Sequence, residues 1–215
     1  MKKTTILILC TLLAFLFISC APDSTPTPAT PTPPPTGQVE MTEHEKAQAF
    51  LKAFIAGQSI DDTFYNFYDS EESKTIDFDS SSVTARELKT ESFKDVLFNI
   101  FGYELTTDID NANVVSGIMK YKFISNDEPS SFVLENVKVS VDIKFKDSEV
   151  TKKEYIINAN IERTPTASQM IIKMTYDVEG KRYDIEATQD MTNGKYLSAK
   201  LNGKDINVQI INGFF

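Results

Sequence analysis

Tryptophan is absent from this chain of 215 residues, histidine occurs once, and both cysteines fall within the first twenty positions, at Cys10 and Cys20. Beyond Cys20 the chain therefore has neither a disulfide nor a thiol nucleophile. With His44 as the sole imidazole, the sequence argues against Ser/His/Asp and Cys/His catalysis and against histidine-based zinc sites, so no catalytic, metal or cofactor residue is assigned. His44 stands between Glu43 and Glu45 in the first turn of an expected helix, where it reads as a solvated surface residue. The eight glycines form no phosphate-cradling loop. Positive charge is also short: 22 basic residues face 31 acidic ones. That balance argues against nucleic acid and against adhesion to anionic lipid through charge, leaving neutral or cationic partners open. Long apolar runs are missing except for Ile6 to Ile18, broken by Cys10 and Thr11, which is short of the roughly 20 residues a membrane-spanning helix requires.

What is present at the start is a signal. Lys2 and Lys3 precede the apolar run, a pattern read as a secretory leader over residues 1–19. The run ends on Phe17-Ile18-Ser19-Cys20, with a small residue directly before a cysteine. This stretch resembles the lipobox of bacterial lipoproteins, departing from it at Phe17, where that family prefers leucine. The resemblance implies a diacylglycerol on the Cys20 thiol, cleavage before it, acylation of the new amino terminus and palmitate-type anchoring. Leu7-Ile8-Leu9-Cys10 is a poorer match, because bulky Leu9 stands where a small residue is needed. A plain signal peptide with an incidental cysteine is the alternative. Acyl chains contribute about 0.8 kcal/mol per buried methylene, so several of them hold a protein durably on a membrane. The chain is thus expected to be exported and membrane-anchored, at a periplasmic face or cell surface. Lys2 and Lys3 leave with the leader, so the remainder carries a formal net charge of −11.

Seven of the nine prolines lie between Ala21 and Gly37, among threonine, serine and alanine. Such a segment builds no core and favours extended polyproline-like conformations, giving over residues 20–37 a lipidated cysteine and a stalk of up to roughly 50 Å. A docking site for a proline-binding partner is the competing reading. Residues 38–215 form the expected single folded domain.

Within it, Thr42-Glu43-His44-Glu45 is a capping box. Ala47, Phe50, Leu51, Phe54 and Ile55 then recur at helical spacing and Gly57 is available as a stop, predicting a helix over about 43–56. A second short helix follows from Ser59 with Ile60, Phe64, Phe67 and Tyr68 on one face. Phe64, Tyr65, Phe67 and Tyr68 are the candidate ligand-pocket residues, with a core role as the alternative. Asp69 to Ser82 reads as a loop, and a third helix is predicted over 85–101, before Gly102. Asp108 to Asn113 alternates acids as an EF-hand loop begins, but Ala112, Asn113 and Met119 stand where a ligand, the turn glycine and a bidentate glutamate belong, so a turn is predicted.

From Val114 the period changes to two. Val137, Val139, Val141, Ile143 and Phe145 alternate with polar residues, and Tyr155, Ile157, Ala159 and Ile161 repeat the pattern. A tight turn at Glu179-Gly180 pairs Tyr176 with Tyr183, Met174 with Ile185 and Ile172 with Ala187. Asn202-Gly203 is expected to pair Ala199 with Ile206 and Leu197 with Val208. At Thr192-Asn193-Gly194 a loop with a glycine bulge pairs Gln189 with Leu197, Ala187 with Ala199 and Ile185 with Leu201. The predicted class is α+β: two or three N-terminal helices on one face of a curved antiparallel meander of about seven strands, from 114 to 211. Its wet face carries a charged lattice of Arg182, Asp184, Glu186 and Lys200.

Residues 46–124, from AQAFLKAFIAGQ through LFNIFGYELTTDIDNANVVSGIMKYKF, are similar in helix order, Gly102-Tyr103 and strand onset to the front half of lipid-anchored NTF2-like (cystatin-like cone) domains. That fold hosts enzymes, binders and interaction modules alike. Three functions remain open at this level: a non-catalytic, membrane-tethered domain that binds an envelope protein or serves a structural role; a carrier of a hydrophobic ligand or lipid; and a carboxylate-based envelope hydrolase.

Overall fold

Thr42 starts the first helix as its sequence predicts. Its side chain accepts from the Glu45 amide at 3.2 Å, and the Glu45 carboxylate accepts from the Thr42 amide at 2.7 Å. The helix, α1, spans Glu43–Thr63, passing through Gly57 and absorbing the start of the expected second helix. Gly57 is a point of close approach, where an added Cβ would lie 2.7 Å from Met174 Sδ and 3.1 Å from the Tyr176 ring. A 3-10 turn at Tyr65–Phe67 follows.

The computed structural model describes residues 40–69, 73–80, 82–83, 86–103, 108–125, 128–144 and 149–215. The expected leader, Cys20, the expected linker and Phe145 lie outside them. After the 3-10 turn comes β1 (Ser73–Asp77), where a loop was expected. Only alternate residues of this edge strand are even half-buried, so it gives little periodic signal. Residues 86–88 run extended along the sheet edge, with the Leu88 amide on Ala112 O (2.9 Å) and the Val114 amide on Arg86 O (2.8 Å). That pinning delays the next helix, α2, to Thr90–Phe101 rather than 85–101. Gly102 ends it in a left-handed conformation, φ 71°, with its amide on Phe98 O.

The sheet continues as β2 (Asp108–Ser125), β3 (Glu128–Lys144), β4 (Val150–Pro165), β5 (Gln169–Val178), β6 (Lys181–Asp190), β7 (Tyr196–Leu201) and β8 (Lys204–Asp205). Its eight strands are antiparallel and neighbour one another in chain order. The protein is α+β with an open antiparallel sheet, one strand more than the pattern suggested. The expected turn at 108–113 is the start of β2, because Ile109, Ala112 and Val114 all face the core while Asp110 bulges out between the pairs Ile109–Ile143 and Asn111–Asp142.

The β5–β6 register is the predicted one at all three pairs. Between β6 and β7, Ile185–Leu201 and Ala187–Ala199 agree, whereas Gln189 pairs with Tyr196 and Leu197 is the bulged residue, 47% exposed. Tyr196 wins the inward position because its ring stands edge-on between Phe50 and Phe54 of α1, both at 5.6 Å. After Asn202-Gly203 the Ile206 amide bonds Ala199 O, but Leu197 never meets Val208. Asn207 instead caps a C-terminal helix, α3 (Val208–Asn212). The Asn212 side chain then satisfies the Tyr196 amide and carbonyl, at 2.8 and 2.9 Å, as a neighbouring strand would.

Helices and sheet meet over a continuous apolar core. Tyr176 of β5 is buried and donates to Ala53 O of α1 at 2.7 Å. Phe93 and Phe101 of α2 pack on Tyr155 of β4, and Phe64 packs on Phe132 of β3. Among the described residues no helix is long and apolar enough to cross a membrane.

Candidate functional site

The four aromatic residues expected at a pocket diverge after α1. Phe64 is fully buried between Phe67 and Phe132, and Phe67 lies edge-on to Phe78 at 5.0 Å. Tyr68 is enclosed by the rings of Tyr121, Phe123 and Phe132. Tyr65 points away and is 59% exposed, with the Lys89 ammonium 5.9 Å from its ring centre. Phe64 and Phe67 thus serve the core, Tyr68 its polar margin and Tyr65 the surface.

At that margin lies a charge cluster that pattern reading missed. Asp61, in the last turn of α1, is buried, and its Oδ2 pairs with Arg163 of β4 at 2.7 Å while its Oδ1 accepts from the Tyr68 hydroxyl. Burial, then the neighbouring Asp61 charge, pushes the Tyr68 phenol well above its usual range, against the opposing effect of Arg163. Tyr68 therefore stays protonated and donates. With one oxygen held by a phenol and the other by a guanidinium, Asp61 fastens the end of α1 to the sheet. Nearby, Tyr121 donates to Asp69 Oδ1 at 2.9 Å, and Lys74 of β1 pairs with the same carboxylate.

At the opposite end of α2, Lys181 of β6 donates to Ile100 O at 3.0 Å and lies 4.6 Å above the Phe101 ring. It supplies the positive charge that the last turn of α2 lacks.

The outer face of the sheet carries a different feature. Gly117 of β2 (φ 106°) lies against β3, so close that a Cβ would stand 2.6 Å from Asn136 O. Glu135 and Asn136 of β3 together oppose Asn158 of β4, a bulge in which Asn136 takes φ 49°. Side chains meet the amides at these irregularities: Asp79 accepts from Gly117 (3.3 Å), Asn158 from Asn136 (2.8 Å), Asp177 from Gly180 (2.9 Å) and Glu179 from Ile156 (2.7 Å). The line of irregularities forms a crease from β2 to the β5–β6 turn. Beside it opens a recess of about 210 Å³, rimmed by Asn158, Asn160, Thr175, Asp177 and Arg182. Leu134, Ala159 and Tyr176, whose side chains serve the core, line it as well.

Of the expected charged lattice, Arg182 approaches Asp184 only to 3.7 Å and Lys200 approaches Glu186 only to 3.9 Å. Asp184 instead accepts from Thr175 Oγ1 at 2.6 Å. His44 is exposed, its ring 5.0 Å from that of Phe214. Among the described residues no group of three or more His, Cys, Asp or Glu side chains is arranged to hold a metal ion. Cys20, the expected lipidation site, lies outside them.

Comparison with protein-family models, with curated proteins and with solved structures finds no match to this chain. The likeness to the lipobox and to NTF2-like domains therefore rests on the residues quoted for each.

Proposed function

We propose that this protein is an exported lipoprotein, tethered to a membrane by a diacylglycerol on Cys20 and held off it by the proline-rich stalk. Its α+β domain acts without catalysis, as a rigid module that binds another envelope protein or serves a structural role. The observation that carries this reading is the filled space between helices and sheet. Gly57 lies against Met174 and Tyr176, Phe50 and Phe54 clasp Tyr196, and Phe93 covers Tyr155. A carrier of lipid or another oily guest needs a chamber at that level, and these side chains occupy it. The same reading makes the crease the line along which the sheet curves, since bulges bend the strands that carry them.

Three experiments test the proposal. Metabolic palmitate labelling is expected to mark the native chain, and Cys20→Ala to remove both the label and the sedimentation with membranes; unchanged sedimentation of the variant refutes the anchor. Photo-crosslinking from Lys173 and Glu186, on the outer face, is expected to return one reproducible protein neighbour in intact cells. Repeated capture of none refutes the binding role. Organic extraction of natively purified protein is expected to yield no stoichiometric lipid.

A further inference from the structure

The recess beside the crease has a lining that selects for one class of ligand. Arg182 is the donor on one side: its side chain is 67% exposed and its nearest carboxylate, on Asp184, lies beyond hydrogen-bond distance at 3.7 Å. Asn158 has committed its carbonyl oxygen to the Asn136 amide, which orients its NH₂ group as a second donor. Acceptors stand beside them. Asp177 uses one oxygen on the Gly180 amide and retains the other, and Asn160 retains its carbonyl oxygen while its NH₂ group reaches 3.5 Å from Glu162.

This mixture disfavours charged ligands. An anion drawn to Arg182 meets Asp177 and Asp184, and a cation drawn to those acids meets Arg182. A neutral group that donates and accepts at once satisfies both halves, and adjacent hydroxyl groups on a ring do that. The size agrees: 210 Å³ is below the roughly 300 Å³ at which sites for drug-sized molecules begin, and suits a single ring. Ile156, 47% exposed and two residues from Asn158 on the same face, offers apolar surface for the C–H face of such a ring.

We propose that this recess is a binding site for one ring of a neutral saccharide, with Arg182 and Asn158 donating to its hydroxyl oxygens and Asp177 and Asn160 accepting from its hydroxyl protons. The site requires neither the lipid anchor nor a protein partner, so its failure and the failure of the tethering proposal are separate results.

The test uses the full chain purified in a detergent without a sugar head group, with saturation-transfer NMR as readout. The probes are glucose, galactose, mannose and N-acetylglucosamine, with glucuronate and glucosamine as charged controls. At least one neutral sugar is expected to show saturable transfer with a dissociation constant on the order of millimolar. Arg182→Met and Asn160→Leu, both outer-face changes outside the core, are each expected to weaken that binding about tenfold while the melting temperature stays unchanged. Three results overturn the proposal: no saturable transfer to any neutral sugar, equal or stronger binding of a charged control, or undiminished binding in both variants.

Discussion

Replacing Arg163 by methionine tests whether the buried pair with Asp61 holds α1 to the sheet. The two side chains are 12% and 8% exposed and their charged atoms are 2.7 Å apart, so water screens them little. Charges about 4 Å apart, centre to centre, attract by about 4 kcal/mol at the effective dielectric of such a site. Methionine fills much of the arginine volume and avoids its desolvation, which offsets part of that loss. What remains is a carboxylate buried with only the Tyr68 hydroxyl to satisfy it. Removing one partner of a buried pair generally costs about 3–5 kcal/mol. The retained Tyr68 bond places Arg163→Met near the lower end, at about 3 kcal/mol.

The discriminating partner is the double variant Arg163→Met with Asp61→Asn, in which an amide keeps an acceptor for Tyr68 and carries no charge. It is expected to recover about 2 kcal/mol relative to the single arginine variant, a coupling that independent sites do not show. Urea unfolding checks both values, with the slope against denaturant unchanged so that midpoints report stability alone. A single variant within about 1 kcal/mol of the parent, or a double variant whose losses simply add, refutes the latch.

Alkaline pH is expected to unfold the domain through its buried phenols. Burial raises Tyr176, with Tyr183 adding to the effect, and burial raises Tyr196, so both keep their protons when folded. The unfolded chain releases them near pH 10. Stability is therefore intact below about pH 10 and falls above it by about 1.4 kcal/mol per pH unit for each such tyrosine. With no tryptophan to interfere, phenolate absorbance and far-ultraviolet dichroism are expected to change together; full ionisation with the sheet signal intact refutes this. Gly57→Ala is expected to destabilise by about 1 kcal/mol in thermal unfolding, because crowding against Met174 and Tyr176 outweighs the roughly 1 kcal/mol gained in helix propensity; a stabilised variant refutes the close approach. Asn212→Ala removes both contacts to the Tyr196 backbone and is expected to cost about 2 kcal/mol, with faster hydrogen exchange at the Tyr196 amide as the local sign. An unchanged exchange rate there refutes the role given to α3.

The elements legible from sequence are those whose determinants are local. A capping box, a glycine after the last turn of α2, and a two-residue turn between alternating strands each act within a few residues, and the structure has them as read. The misreadings share another origin. Gly57 looks like a helix stop until β5 is seen to need the space beside it, and Leu197 looks like the inward residue until α1, some 140 positions earlier, supplies a slot for Tyr196. The Asp61–Arg163 pair does leave a signal in the sequence. Phe50, Phe54, Gly57 and Asp61 share one helical face, and Arg163 continues the inward series Tyr155, Ile157, Ala159, Ile161. An acid and a base that both land on buried faces must find each other, because neither is stable there alone.

The crease was written in the chain in the same way. Inward residues of β3 are even-numbered at Phe132 and Leu134 and odd-numbered from Val137 on; those of β2 are even-numbered at Ala112 and Val114 and odd-numbered from Met119 on. β3 thus changes phase in its interior and β2 does so at the same level, in addition to its earlier shift at Asp110, and the amides at the shared level are met by side chains rather than by a regular ladder. An uninterrupted alternation would need no positive φ at Gly117 and Asn136, but it would turn the inward residues of one half of each strand to the outer face. Sequences that break their own local pattern in this way concentrate the exceptions at functional sites. The break in β2 and β3 lies beside the recess, so the irregular backbone and the proposed saccharide site share the same outer face.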